Sequence, residues 1–93
     1  MRIAQVIGNL TLNRCHPSFD GARLRLAVPL TNEELTKGID PKGEALVVWD
    51  ELGAGVGSMI AIAEGPEASQ PFRPDMKPVD AYAAALLDSI QLD

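Results

Sequence analysis

Gly53, Gly55 and Gly57 stand at alternate positions just after an apolar run, the spacing in this 93-residue chain that most directly invites chemistry. A glycine-dense turn following a strand can cradle a phosphate with its backbone N–H groups. The dinucleotide fingerprint, however, requires G-x-G-x-x-G opening a helix within a βαβ unit. Here Ser58 occupies the last motif position, the next segment alternates like a strand, and no G-x-x-x-x-G-K-[ST] occurs anywhere. The loop is therefore read as backbone that can adopt positive φ and come close to another surface.

The other reactive side chains form no catalytic set. His16 is the single histidine and Cys15 the single cysteine. As neighbours in an extended segment they point to opposite faces, which disfavours a dyad. One cysteine excludes an intrachain disulfide and supplies no metal cluster, so Cys15 is read as a small, partly buried residue. Asp50 and Glu51 flank a strand end and are read as solvated loop acids, and Asp80 as an acid in the first turn of a helix. No catalytic, cofactor-binding or metal-binding residue is assigned, and no cofactor is expected.

The elements that must position the loop follow from periodicity. Arg2 to Asn13 is an apolar run broken by Gly8, as a bent or bulged strand would be. His16 to Gly21 is rich in turn formers and reverses the chain. Arg23 to Leu30 alternates cleanly, with Leu24, Leu26, Val28 and Leu30 on one face and Arg23, Arg25, Ala27 and Pro29 on the other. That arginine face is either solvated or meets an acidic neighbour. Thr31 to Glu44 is a polar excursion, with a helical turn at Thr31–Leu35 capped by Thr31 or Asn32 and a tight turn at Asp40–Gly43.

Ala45 to Asp50 is an apolar strand covered on both faces, and Ser58 to Glu64 a strand with Ile60 and Ile62 on one side. Gly65 to Pro78 holds four prolines and is an irregular connector, with a possible short edge strand at Ala68–Phe72. Val79, Tyr82, Ala83, Leu86, Leu87 and Ile90 fall at helical spacing behind Pro78, predicting a C-terminal amphipathic helix. The fold class expected is mainly β: a small OB-like barrel of about five strands with one C-terminal α-helix. Residues 1–93 are read as a single domain.

Composition narrows the function classes. Hydrophobic residues make up 46% of the chain but only four are aromatic, so small aliphatics do the packing. Net charge is −5, divided unevenly: residues 1–30 carry four basic side chains against one acidic, and residues 31–93 four basic against twelve acidic. Such a division suits contact between copies of the chain. It disfavours nucleic acid, which needs a concentrated basic patch. The N-terminal run is neither a signal peptide nor a membrane span, and a cytoplasmic location without membrane attachment is expected.

Several blocks together carry a family resemblance: IAQVIG near the N-terminus, HPSFDGARL, VVWDELGAGVGSMI, and KPVDAYAAALLDSI near the C-terminus. They resemble the EutN/CcmL family, pentameric vertex proteins of bacterial microcompartments and carboxysomes. The resemblance implies an OB-like barrel with a C-terminal helix, assembled as homopentamers that cap the fivefold vertices of a polyhedral shell tiled by hexameric shell proteins, without catalysis. It places Gly53, Ala54, Gly55, Val56, Gly57 and Ser58 near the fivefold axis and its narrow pore. Arg23 and Arg25 are the candidates for subunit or facet contacts.

Ser58, Cys15 and Ser69 stand where the family usually carries an acid, a lysine and an arginine, so contacts made by those charges are not carried over. The alternative class is an OB-like module binding single-stranded nucleic acid or a small ligand, which would need a basic groove and stacking rings.

Overall fold

A computed structural model describes residues 1–12, 17–19, 21–75, 77 and 79–90. Five strands, β1 (Arg2–Leu10), β2 (Leu24–Pro29), β3 (Leu46–Trp49), β4 (Met59–Glu64) and β5 (Ala81–Leu87), close into a barrel in the order β1-β2-β3-β5-β4. Neighbours pair antiparallel except β3 and β5, which run parallel and meet at Trp49 and Tyr82. A short helix, α1 (Asn32–Lys37), lies between β2 and β3, and 3-10 segments cover Pro17–Phe19 and Gly65–Phe72. Among the described residues no helix is long and apolar enough to cross a membrane.

Closure runs through β1, the longest of the five strands, which divides its length between two partners. Arg2–Gln5 pairs with β4, while Ala4–Leu10 pairs with β2. Between Val6 and Gly8 the register with β2 shifts, at the glycine that interrupts the apolar run. A bulge there bends the strand and raises its twist, which lets one ribbon wrap from one neighbour to the other.

The bore is filled by Ala4, Val6, Ala27, Val48, Ala54, Ile60, Ile62, Ala81 and Ala83. Alanine dominates this set because a five-stranded barrel has a smaller radius than the eight-stranded barrels whose interior side chains just fill the space. Ile60 and Ile62, both fully buried, are the largest residues admitted.

The C-terminal segment corrects the sequence reading. Where helical spacing predicts a helix over Val79 to Ile90, residues Ala81–Leu87 are β5, paired with β4 from Ala81 opposite Glu64 to Leu87 opposite Met59. Alanine and leucine favour helix intrinsically, but context overrides propensity. Ala81 and Ala83 are small enough for the bore, and the strands flanking the gap need a backbone partner. The expected barrel of about five strands therefore stands, while the expected C-terminal α-helix does not. Pro78 lies outside the described residues, and Asp80 sits at a bend just before β5.

Ala68–Phe72, read as a possible edge strand, belongs to the 3-10 segment Gly65–Phe72, where Pro66 and Pro71 lack the donors a ladder needs. That segment lays the ring of Phe72 between those of Trp49 and Tyr82. Trp49 contacts Phe19 at 6.1 Å and Phe72 at 4.8 Å between ring centroids, and Phe72 contacts Tyr82 at 5.4 Å. All four aromatic residues of the chain thus pack in one row over β3 and β5.

The polar excursion closes on itself. Thr31 Oγ1 accepts the Glu34 N–H at 3.1 Å, Glu34 Oε1 accepts the Thr31 N–H at 2.9 Å, and Glu34 Oε2 accepts the Lys42 N–H at 2.8 Å. This capping box confirms the helical turn expected behind Thr31. The N–H of Thr31 first, then that of Lys42, hold the Glu34 carboxyl below its ordinary range, against a desolvation that acts the other way. At Asp40–Gly43 the chain makes a bend at Gly43.

Candidate functional site

The segment from Asp50 to Ser58 runs from the end of β3 to the start of β4. Its root is Asp50, which the sequence reading takes as a solvated loop acid and which is fully buried. The N–H of Leu52 donates to Asp50 Oδ1 at 2.9 Å and that of Ala54 to Oδ2 at 2.7 Å. An aspartate that accepts from residues two and four ahead folds the chain back over its own side chain.

Arg25 completes the root. Its Nε donates to the Ala54 carbonyl at 2.7 Å and lies 3.2 Å from Asp50 Oδ2. A buried carboxylate is tolerable only when its oxygens are paired and hydrogen-bonded. Here two backbone N–H groups and a guanidinium supply that. Of the two outcomes left open for the arginine face of β2, Arg25 meets the acidic neighbour, and Ala27 on the same face enters the bore. Arg23 is exposed, and its carbonyl accepts the Asp50 N–H at 2.8 Å.

The far end of the loop is tied to β1. The N–H of Gly57 donates to the Val6 carbonyl at 2.8 Å, the Val6 N–H donates to the Ser58 carbonyl at 2.9 Å, and the Ser58 N–H donates to the Gly55 carbonyl at 3.0 Å. Gly53 (φ 80°) and Gly57 (φ 92°) take the left-handed conformation that side chains resist. Gly55 does not, and among the described residues nothing lies within 4 Å of where its Cβ would be. Within one subunit Gly55 has no steric reason to be glycine.

Between these anchors the loop sorts its two side chains sharply. Ala54, 2% exposed, turns inward and joins the bore; Val56, 66% exposed, turns outward. Exposed Ile7 follows the Val6 that binds the loop, and Leu52 is exposed on the loop's first turn. A third tie holds the neighbouring residue: the Tyr82 hydroxyl donates to Glu51 Oε1 at 2.7 Å. That bond first, then desolvation, pushes the Tyr82 hydroxyl up to about 12.

Trp49, Asp50 and Glu51 thus reach the aromatic row, Arg25 and Tyr82 in turn. Spacing alone left Asp50 unmatched because its partner lies 25 positions away on another strand. The usable signal was an aspartate at a strand end followed at once by a glycine-dense turn.

The remaining sequence candidates are not gathered here. Cys15 and His16 lie outside the described residues. Asp80 lines a separate open groove of about 520 Å³ with Gly65, Pro66, Ser69, Lys77 and Val79. What the loop presents is a backbone hydrogen-bonded at both ends, a small inward plug and the outward apolar side chains of Leu52 and Val56. These are the properties of a contact surface.

Residues 1–88 match the family described as ethanolamine utilisation protein EutN/carboxysome. The chain is 29% identical over 91 residues to the bacterial microcompartment shell vertex protein GrpN of Rhodospirillum rubrum, covering 98% of this chain and 97% of that protein. Superposed on the solved GrpN pentameric microcompartment shell protein from the same organism, it gives a TM-score of 0.82 at 26% identity, with both chains fully covered. The structure of Gloeobacter violaceus CcmL matches with a TM-score of 0.86 at 25% identity, covering 100% of this chain and 91% of that one.

Proposed function

The chain belongs to the EutN/CcmL family, and from that premise we propose that it is a structural shell protein whose pentamers cap the fivefold vertices of a bacterial microcompartment. The observation that carries this reading is end-to-end similarity, in sequence and in fold, to a pentameric shell protein of nearly the same length. The protein acts by geometry and is not an enzyme. A flat hexagonal sheet cannot close, and a fivefold unit in place of a sixfold one introduces the curvature that closes it.

Cyclic assembly also suits a small domain, which buries little surface alone. The rival reading as a nucleic-acid module needs exposed rings for stacking. Here Trp49 is 4% exposed within the row of rings, and Phe19, Phe72 and Tyr82 are half-buried and each already packed against another ring.

Two finer assignments belong to this proposal. The loop Gly53–Ser58 lies near the fivefold axis and its pore, a placement supported by Gly55, whose missing side chain nothing among the described residues explains. The pentamer's partners are hexameric shell proteins. Of the two arginines considered for subunit or facet contacts, Arg23 is free to make one, whereas the Arg25 guanidinium is engaged within its own chain.

Co-expression with a hexameric shell protein, followed by electron microscopy, tests the function. Closed polyhedra should form with this chain and open sheets or tubes without it. Polyhedra that close equally well in its absence would contradict the assignment.

A further inference from the structure

Val56 is the most exposed large apolar side chain of the described residues apart from Met1, and it sits on a loop that is held at both ends. Free apolar side chains are ordinary on mobile loops. One carried on a buried ion pair is not, because taking Asp50 out of water is costly and the barrel gains only the small Ala54 plug in return. Association costs less when the contact is already in its bound shape, since little conformational entropy is then lost.

We propose that Val56 is an apolar contact to a second copy of this chain, and that Arg25 and Asp50 are positioning residues that hold the loop in its bound shape before assembly. The inference rests on the reading of the chain as a homo-oligomer. It adds which side chain makes the contact and which pair presents it. Ile7, next in sequence to the Val6 that receives the loop, is also an exposed apolar residue.

The test pairs native mass spectrometry over a dilution series with hydrogen exchange of the backbone amides. Val56→Asp should raise the concentration at which the oligomer dissociates by about tenfold or more, as expected of a central contact residue. Val56→Ile should leave it near the wild-type value. Neither change touches the bore, so both variants should unfold like the wild-type monomer.

Asp50→Asn and Arg25→Met should speed exchange at Leu52, Ala54 and Gly57 and weaken assembly, while β1 and β4 amides stay protected. Wild-type assembly by Val56→Asp would overturn the contact. Unchanged loop exchange in both clamp variants, or barrel amides lost together with those of the loop, would overturn the positioning role. A wild-type oligomer of another size that Val56→Asp still dissociates would sink the pentamer but keep this inference. A wild-type protein monomeric at every concentration would sink both.

Discussion

Ala54 and Val56 stand two residues apart, and the surfaces they join are held in different ways. The bore that receives Ala54 is held by apolar burial shared among nine residues, five of them alanine. The loop that lifts Val56 is held by a few polar bonds, most of them converging on Asp50 and Arg25. Burial is distributed, so no single alanine in the bore is decisive. The loop concentrates its support, so one carboxylate sets its shape.

Removal of that carboxylate is therefore expected to cost the most. Asp50→Ala leaves the Leu52 and Ala54 N–H groups without their acceptor and the Arg25 guanidinium without its counter-charge. Breaking a buried pair this way costs about 3–5 kcal/mol, measurable by urea unfolding. A loss under about 1 kcal/mol would mean that water reaches the site and replaces the carboxylate.

Ile60→Ala empties the largest side-chain volume of the bore and should cost about 3 kcal/mol. Here exchange should rise across the whole barrel, whereas the conservative clamp change Asp50→Asn should confine it to the loop. Similar exchange patterns in the two variants would erase the distinction between the regions.

The helix beside β3 supplies a smaller, independent check. Thr31→Ala removes the capping hydroxyl of α1 and should cost about 1 kcal/mol. Because backbone N–H groups depress the folded-state pKa of Glu34, its contribution is present above the ordinary carboxylate value, about 4.3, and is lost as pH falls through the lower folded value. Thermal stability should therefore decline over that acid window, and less steeply in Glu34→Gln. The smallest effect concerns Tyr82. With its hydroxyl raised to about 12 by Glu51, it stabilises the fold below the ordinary phenol value, about 10, and loses this as pH rises towards 12. Ultraviolet titration should show that late ionisation, and Tyr82→Phe should change stability near neutrality by no more than about 1 kcal/mol.

How far the sequence alone reached follows the same division. Alternation exposed β2 and β4, Gly8 marked the bulge in β1, and Thr31 marked the cap of α1, because each is a local signal. Leu46 to Ala63 reads as strand, glycine loop, strand, and β3 and β4 flank the loop in that order. The helical spacing of Val79, Tyr82, Ala83, Leu86, Leu87 and Ile90 misleads because Ala81–Leu87 is a strand whose identity is decided by its neighbours and by the narrow bore. Asp50 misled for a related reason: burial of an acid depends on a partner brought by the fold, which no local window contains. The fivefold assembly came from family resemblance rather than from periodicity or charge.

Native mass spectrometry of the purified chain tests the assembly most directly. A closed pentameric vertex requires a discrete species of five times the 9.9 kDa chain mass, converted to folded monomers by Gly55→Asp if, as proposed, the loops converge at the axis, where the change would place five carboxylates and five β-carbons. A wild-type monomer, a hexamer or an open-ended fibre would contradict the pentamer, and intact Gly55→Asp pentamers would move the loop away from the axis.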